Sequence, residues 1–292
     1  MAGLLRKGRD FLGAPWPEKR AAVAWRVERQ RAKGKSRLPG RMNRYRLQHL
    51  ARLWRARLAA RDLYEIAEPL ISVLIPTYNR ADLLVERSVA SVLRQPYQNF
   101  EIVVVGDACT DGTEAALRGL GDPRIRFYNL PVRGHYPRDP YLRWLVAGSA
   151  PANRALELAR GQWVAPLDDD DEFSPDHLEV LLGACVRGRR EFAYGVMLME
   201  VEPGTWRPVG SYPPHCGRIC NASVLYAAYL RFFRYDLEAW RLGEPNDWNL
   251  WKRMWGAGVR MAFVDRIVGR HFLEHKPLAA AITDGFANGA SA

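Results

Sequence analysis

The chain has 292 residues, of which 48% are hydrophobic and 26% are charged, and this composition excludes a disordered or fibrous protein. No stretch is apolar for the 18 or more residues that a membrane-spanning helix needs, and the first 20 residues lack the apolar core of a secretory signal. Four cysteines are too few for a disulfide framework in so long a chain, so we expect a cytoplasmic protein.

The positive charge is concentrated at the start of the chain. Residues 1–68 contain 18 Lys and Arg against 6 Asp and Glu, a net charge of +12. Because the whole chain carries +11, the remainder has a net charge of −1. We therefore predict a basic, largely helical N-terminal extension over 1–68, a near-neutral body over 69–276 and a flexible tail over 277–292.

Within the extension, residues 43–67 place Leu, Trp and Tyr at roughly helical spacing among arginines. This pattern is compatible with three roles. The apolar stripe can pack on the body, or it can contact an anionic lipid surface. The clustered arginines can also neutralise the phosphates of a nucleic acid.

From residue 70 onward, apolar runs typical of buried strands alternate with helical patterns. Strands are predicted at LISVLIP (70–76), FEIVVV (100–105), RIRFYN (124–129) and QWVAPL (162–167). Helices are predicted at about 81–95 and 150–160, the second one ending at Gly161. The alternation of strands and helices indicates an α/β protein with a largely parallel sheet.

Polar residues follow three of these predicted strands. Thr77, Tyr78 and Asn79 follow the first, Asp107 follows the second, and four consecutive aspartates, 168–171, follow the fourth. Ligands of parallel α/β sheets bind outside the carboxyl ends of the strands, so these residues predict a binding site at that edge.

The four aspartates predict a divalent cation. Adjacent carboxylates repel one another, and Mg²⁺ or Mn²⁺, which prefer oxygen ligands, would relieve that repulsion. Magnesium is commonly held by one or two carboxylates together with substrate phosphates, which points to a nucleoside diphosphate as the third component. The alternative is an acidic turn before a helix that begins near Ser174.

Four segments resemble glycosyltransferase family 2, whose GT-A fold is a Rossmann-like, mostly parallel mixed sheet flanked by helices. They are ISVLIPTYNR, FEIVVVGDACTDGT, WVAPLDDDDEFSPDHL and NDWNLWKR, in the family's order, and the resemblance covers about residues 70–275. It implies an inverting transfer of sugar from a nucleotide-diphosphate donor, UDP-linked in our expectation, with Mn²⁺ or Mg²⁺. The implied acceptor is a saccharide or a lipid-linked saccharide in the synthesis of surface polysaccharide or glycoconjugate.

The resemblance also implies roles for individual residues on the donor side. Pro76, Thr77 and Tyr78 would line the pocket for the nucleotide base and ribose, and Asp107 would accept a hydrogen bond from the imide of uracil. The DXD element falls on 168–170, so Asp170 and Asp168 would bind the metal, while Asp168 and Asp169 would help to hold the metal or the ribose. Asn153 would lie near the donor.

By the same resemblance, Asp247 is the general base that takes the proton of the acceptor hydroxyl. Its alternative role is the N-cap of the helix that follows, a role that Asn246 could fill instead. His271 is a further candidate near the diphosphate or the metal. One departure from the family pattern is GDAC at 106–109, where the family usually has Asp-Asp-Gly-Ser.

Three further features leave alternatives open. The aromatic segment 133–149 either shapes the site or is a surface loop. His215, Cys216 and Cys220 form either a metal site or a partly buried thiol pair. Asn221 begins a glycosylation sequon, which would have no meaning in a cytoplasmic protein.

Three other functions compete with sugar transfer. A nucleotidyltransferase acting on a sugar phosphate would need a glycine-rich basic loop after the first strand, which PTYNRADL does not provide. A non-catalytic nucleic-acid-binding protein rests only on the basic extension, and the near-neutral body argues against it. A catalytically dead sugar-nucleotide binder would not need both Asp170 and Asp247. For a lipid-linked acceptor, residues 1–68 would hold the enzyme peripherally on the inner face of an anionic membrane.

Overall fold

The computed structural model describes residues 39–273, and their side chains from residue 48 onward. In this part of the chain a mixed sheet of nine strands is flanked by helices. The strands are β1 (Ile71–Thr77), β2 (Phe100–Gly106), β3 (Ile125–Asn129), β4 (Trp163–Pro166), β5 (Glu172–Phe173), β6 (Phe192–Glu202), β7 (Thr205–Val209), β8 (Val224–Ala227) and β9 (Met261–His271).

Seven helical elements, which we number in chain order, accompany the described strands. They are α1 (Pro39–Ala59), α2 (consecutive segments Ala81–Leu83, Leu84–Val89 and Ala90–Leu93), α3 (Thr113–Gly119), α4 (Pro140–Trp144), α5 (Ser149–Leu158), α6 (His177–Gly188) and α7 (Asn246–Gly256). The middle segment of α2 is a π-helix. Short 3-10 helices occur at Leu63–Glu65, Asn221–Ser223, Ala228–Phe232 and Ala239–Leu242.

The first half of the sheet is parallel, in the order β3-β2-β1-β4. The strands β1 and β2 are buried almost throughout, because the β-branched and aliphatic residues of the two apolar runs face helices on both sides of the sheet. Alternate residues of β1 enter different cores: Val73 and Ile75 belong to one, and Leu74 to the other. The four predicted strands are confirmed.

The second half of the sheet is mixed. β8 runs antiparallel to β4 and β6, whereas β9 runs parallel to β6. Beyond the end of β8, β7 pairs with β6 as an antiparallel hairpin that turns at Gly204, whose φ is +78°. These strands were not among those predicted from the sequence.

The predicted helices at 81–95 and 150–160 are confirmed, but the role predicted for Gly161 is wrong. Helix α5 ends at Leu158, and its C-cap Ala159 is extended rather than left-handed. A Cβ atom at Gly161 would lie 2.6 Å from the carbonyl oxygen of Leu70 and 2.7 Å from the nitrogen of Ser72. Glycine is therefore required there by the close approach of β1 and not by a helix end.

Helix α1 packs against the body through one side. Leu53 is buried, and the ring of His49 lies 4.5 Å from that of Phe233. Arg57 forms two hydrogen bonds with the buried carboxylate of Glu191, at 2.6 and 2.7 Å. The described end of the basic extension is therefore fixed to the sheet, as the packing alternative predicted, while its opposite side is exposed.

Candidate active site

A cavity of about 390 Å³ lies at the carboxyl edge of the parallel strands. It lies where β1, β2 and β4 end, and the strand β6, the loop before β8 and the start of α7 complete it. Its polar lining includes Thr77, Tyr78, Arg80, Asp107, Asp168, Asp169, Asp170, Asn221, Asp247 and His271. The structure thus brings together residues that are up to 194 positions apart in the sequence.

The aspartates that follow β4 form hydrogen bonds to three different parts of the fold. Asp168 accepts a hydrogen bond from the side-chain amide of Asn221 at 3.1 Å, and Asp169 accepts one from the hydroxyl of Thr77 at 2.8 Å. The guanidinium of Arg80 donates to Asp169 at 3.1 Å and to Asp170 at 2.7 Å. The acidic run is therefore held by β1, α2 and the loop before β8.

The backbone of the acidic run is held by α2. The hydroxyl of Ser88 lies 3.0 Å from the carbonyl oxygen of Asp168 and 2.9 Å from that of Asp171. Arg87 donates to the carbonyl oxygen of Asp170 at 2.8 Å. These bonds come from the π-helical segment of α2, a type of segment that is often found at functional sites.

Burial is the main reason why the pKa values in this run are high. It raises the pKa of Asp168 to about 7, and the negative charges of Asp171 and Asp170 raise it further. The pKa of Asp169 is raised to about 6 by burial and by Asp170, although Arg80 opposes the shift. The carboxylates are therefore held close together at a cost that a cation would reduce.

In the described part of the chain, no three His, Cys, Asp or Glu side chains converge into a complete metal shell. The residues nevertheless fit a cation that also binds phosphate oxygens, because Asp170 and Asp168 supply hard oxygen ligands. Asp170 already contacts a positive group, the guanidinium of Arg80. His271 contacts the next aspartate of the run: its Nδ1 is 3.0 Å from Oδ2 of Asp171.

Asp107 lies at the end of β2 and is buried. Its Oδ1 accepts the backbone N–H of Gly134 at 2.8 Å, and Nε of Arg133 lies 3.8 Å from its Oδ2. The same guanidinium stacks on the ring of Tyr78, 3.5 Å from its centroid. Segment 133–149 therefore reaches the end of β2 and contributes to the cavity wall, as one of its two predicted roles required.

The departure from the family pattern at 106–109 has a structural consequence. Ala108 has a φ of +58°, in the left-handed region where glycine is usual, and it stands at the position of the family's glycine. Cys109 donates its N–H to the side-chain oxygen of Asn129 at 2.8 Å, which holds this turn against β3.

Asp247 lies in the first turn of α7, where Pro245 is the N-cap residue. Its Oδ1 accepts the N–H of Trp248 at 2.6 Å. Burial raises the pKa of Asp247 to about 6, against the lowering effects of the Trp248 N–H and of His271. Asn246 does not cap the helix, because its amide oxygen bonds to the N–H of Asp247 and its amide nitrogen to the hydroxyl of Ser149.

One predicted donor residue lies elsewhere. Both ends of the Asn153 side-chain amide bind the backbone of Tyr235, each at 2.9 Å, and Asn153 does not line the cavity. Its amide joins α5 to the loop after β8.

Arg80 and Asn221 line the cavity but were not predicted as site residues from the sequence, and Arg133 was predicted only as part of segment 133–149. Arg80 directly follows the PTYN segment, which was the available signal, whereas Arg133 depends on how a long loop folds. Asn221 was noted only for its sequon, but it bonds to Asp168 and also accepts the hydroxyl of Tyr235 at 2.9 Å.

The cysteines do not form a bridge. Cys216 is exposed and Cys220 is partly buried. Burial raises the pKa of Cys220 well above its ordinary value.

The chain matches the sequence model of glycosyl transferase family 2 over residues 72–137 and 147–234 and belongs to that family. It is 32% identical over 126 residues to UDP-Glc:alpha-D-GlcNAc-diphosphoundecaprenol beta-1,3-glucosyltransferase WfgD of Escherichia coli, covering 43% of this chain and 45% of that protein. The chain spans about half or less of the length of the first curated relatives it matches.

Two solved structures share the fold. S. aureus TarS 1-349 in complex with UDP-GlcNAc superposes with a TM-score of 0.56 at 18% identity, covering 70% of this chain and 59% of TarS. The mannosyltransferase PcManGT of Pyrobaculum calidifontis, in complex with GDP-Man and Mn²⁺, gives 0.54 at 17% identity, covering 81% and 68%. The predicted GT-A fold is confirmed.

None of the described helices is long and apolar enough to cross a membrane.

Proposed function

We propose that this protein catalyses the inverting transfer of a sugar from a UDP-sugar to a saccharide or lipid-linked saccharide acceptor. The observation that carries the proposal is the convergence of Asp107, Asp168, Asp170 and Asp247 on one cavity at the carboxyl edge of the sheet. The catalytic domain in this proposal spans residues 69–276, of which 274–276 lie outside the described residues.

The donor would lie along the ends of β1, β2 and β4. Pro76, Thr77 and Tyr78 would line the nucleoside pocket, where Asp107 retains Oδ2 as an acceptor for a protonated ring nitrogen. Such a nitrogen is present in uracil. A UDP donor is also supported by two similar proteins, one of which is named for its use of UDP-Glc and the other of which was solved in complex with UDP-GlcNAc.

Asp170 and Asp168 would hold Mn²⁺ or Mg²⁺ together with oxygens of the donor diphosphate. The cation would supply positive charge to the departing diphosphate. Asp169 accepts hydrogen bonds from Thr77 and Arg80. In this proposal it therefore holds those two residues in place and does not bind the metal.

Asp247 would act as the general base. The acceptor hydroxyl attacks the anomeric carbon, the bond from that carbon to the diphosphate oxygen breaks, and the hydroxyl proton passes to Asp247. One displacement inverts the anomeric configuration and releases the nucleoside diphosphate. The raised pKa of Asp247, about 6, makes it a stronger base than an ordinary carboxylate while it remains ionised at neutral pH.

The outer face of α1 would contact the membrane that carries the acceptor. We define this face by Leu50, Trp54 and Leu58, which are 41%, 63% and 49% exposed and follow one another at helical spacing. Arg55 and Arg61 are exposed beside them. An apolar stripe among arginines matches the chemistry of an anionic bilayer surface.

Thermal unfolding with a panel of nucleotides, each with and without Mn²⁺, tests the donor site. We expect UDP to raise the midpoint only when Mn²⁺ is present, and Asp170→Ala to remove the shift. Arg118→Gln is the matched control, since Arg118 pairs with Glu114 on the surface of α3. A shift with GDP but not UDP would refute the assignment of uracil as the nucleobase of the donor. A shift only with triphosphates would favour a nucleotidyltransferase.

Sedimentation with vesicles tests the membrane contact. The full-length protein should sediment with phosphatidylglycerol vesicles at low salt and remain in solution with phosphatidylcholine vesicles. Replacement of Trp54 and Leu58 by serine should abolish sedimentation without lowering the unfolding temperature. Unchanged sedimentation of this double variant would exclude the outer face, and preferential binding to DNA would favour nucleic acid as the partner of the extension.

A further inference from the structure

The hairpin of β6 and β7 supplies a cationic side chain to the half of the cavity that lies away from β2. Paired residues of neighbouring strands lie on the same face of a sheet, and Met199 is paired with both Arg207 on β7 and His271 on β9. His271 bonds to Asp171, so this row begins beside the acidic run and ends at Arg207. Two strand spacings separate the Cα atoms of His271 and Arg207 by about 10 Å.

A second arginine, Arg218, lines the cavity from the loop that precedes β8. Three residues further on, Asn221 bonds to Asp168. The N–H of Asn221 also lowers the pKa of Asp247 through a hydrogen bond. The loop that carries Arg218 therefore passes directly beside the general base of the proposed reaction.

Arg207 and Arg218 differ from the other arginines of the cavity in their partners. Arg80 is paired with two aspartates and Arg133 lies beside Asp107. Among the residues that the structure describes, no carboxylate is within ion-pair distance of Arg207 or Arg218.

Glu200, the carboxylate nearest in sequence on the same hairpin, is engaged elsewhere. It accepts the N–H groups of Gly204 and Leu273, at 2.8 and 3.1 Å. Two uncompensated guanidinium groups in one cavity are suited to an anionic ligand.

We infer that Arg207 and Arg218 bind the diphosphate of a lipid-linked acceptor, beyond the sugar whose hydroxyl faces Asp247. The side chains of Met197, Met199 and Val209 line the same cavity and lie beside Arg207 on the hairpin. They would contact the first apolar units of the lipid. Arginine suits this role because its planar fork matches phosphate oxygens in a bidentate manner. The inference rests on the proposed function and specifies the chemistry of its acceptor.

The test measures the affinity of the full-length protein for farnesyl diphosphate by calorimetry, in saturating UDP and Mn²⁺ so that the donor site is filled. Inorganic pyrophosphate and farnesol are titrated in parallel. We expect Arg207→Gln and Arg218→Gln each to weaken farnesyl diphosphate binding about tenfold, and the double variant about a hundredfold. Arg118→Gln should bind as the wild type does, and all variants should bind UDP with unchanged affinity.

Three outcomes would overturn the inference. The first is that the folded double variant binds farnesyl diphosphate with wild-type affinity. That result would refute the inference whether or not the protein binds UDP. The second is an equal loss of UDP affinity, which would assign the two arginines to the donor. The third is equal affinity for pyrophosphate and farnesyl diphosphate with the same losses, which would indicate a free anion instead of a lipid-linked acceptor. Failure of UDP to bind the wild type would instead refute the proposed donor.

Discussion

Two regions of the molecule bury carboxylates, and their pKa values move in opposite directions. At the carboxyl edge of the sheet, burial raises the pKa of Asp168 to about 7 and that of Asp247 to about 6. Beneath α1, burial also favours the protonated form of Glu191, but hydrogen bonds outweigh it and lower the pKa to about 2.

The difference between these regions comes from the number of hydrogen-bond donors around each carboxylate. Glu191 receives two hydrogen bonds from Arg57, one from the N–H of Arg260 and one from the hydroxyl of Tyr229. Asp168 receives one from the neutral amide of Asn221 and lies beside further aspartates. A carboxylate supplied with donors stabilises a fold, whereas a crowded one retains capacity for a cation or a proton.

The largest expected effect is at the carboxyl edge of the sheet, where the aspartates lie close together. Asp247→Asn keeps the shape of the side chain but removes the base, so sugar transfer should fall by a factor of about 10²–10⁴. The shift of the unfolding temperature by UDP and Mn²⁺ should remain, because the donor site is intact. Measured turnover within threefold of the wild type would exclude Asp247 as the base.

Beneath α1, where Glu191 is surrounded by hydrogen-bond donors, the expected effect is on stability. Arg57→Gln removes the guanidinium that donates two hydrogen bonds to the buried carboxylate of Glu191 and leaves Arg260, 3.4 Å away, as its charged partner. The free energy of unfolding should therefore fall by about 1.5–3 kcal/mol. Urea unfolding measures this change. The control is the exposed pair of Glu114 and Arg118, where Arg118→Gln should cost less than about 0.5 kcal/mol. Equal losses in the two variants would contradict a special role for the buried pair.

The pH profile of transfer should report the raised pKa of Asp247. A general base acts as the carboxylate, so the rate should fall about tenfold per pH unit below the pKa of about 6 and level off above it. The residual activity of Asp247→Asn should lack this dependence. A profile whose acid limb lies near pH 4 would place the base on an unperturbed carboxylate.

Glu191 should also make a property of the protein fall on acidification, but the property is stability and the pH range is lower. Its folded-state pKa, about 2, is below the ordinary value of 4.5, so its contribution is complete above about pH 4.5 and is lost as the pH falls towards 2. Acid unfolding followed by circular dichroism measures this. Glu191→Gln should be less stable at pH 7 and should lose less of its stability between pH 4.5 and 2 than the wild type.

The smallest expected effect is at the turn after β2. Ala108 adopts a left-handed φ of +58°, so Ala108→Gly should relieve strain and raise the free energy of unfolding by about 0.5–1 kcal/mol. Ala116→Gly, within α3, is the control and should destabilise by about 1 kcal/mol. Destabilisation by both substitutions would show that the backbone at Ala108 is not strained.

Much of the site was predictable because it lies at strand ends. The runs at 70–76 and 162–167 are apolar enough to identify β1 and β4, and parallel strands present their carboxyl ends at one edge. Thr77, Asp107 and Asp168 therefore had to lie near one another. The position of Asn153 was not predictable, because a helix pattern does not specify which partner a side-chain amide finds, and here the partner is the backbone of Tyr235.

The sequence by itself determined the α/β class, the parallel half of the sheet and the acidic edge, because continuous apolar runs and the polar residues after them are local patterns. Only the tertiary structure decided that Arg80, Arg133 and Asn221 contact the aspartates, since those contacts join segments 26 to 90 residues apart. It also decided the roles of the two faces of α1. The same arginine-rich helix buries Leu53 and pairs Arg57 with Glu191, and it exposes Trp54 because no described part of the body covers that side.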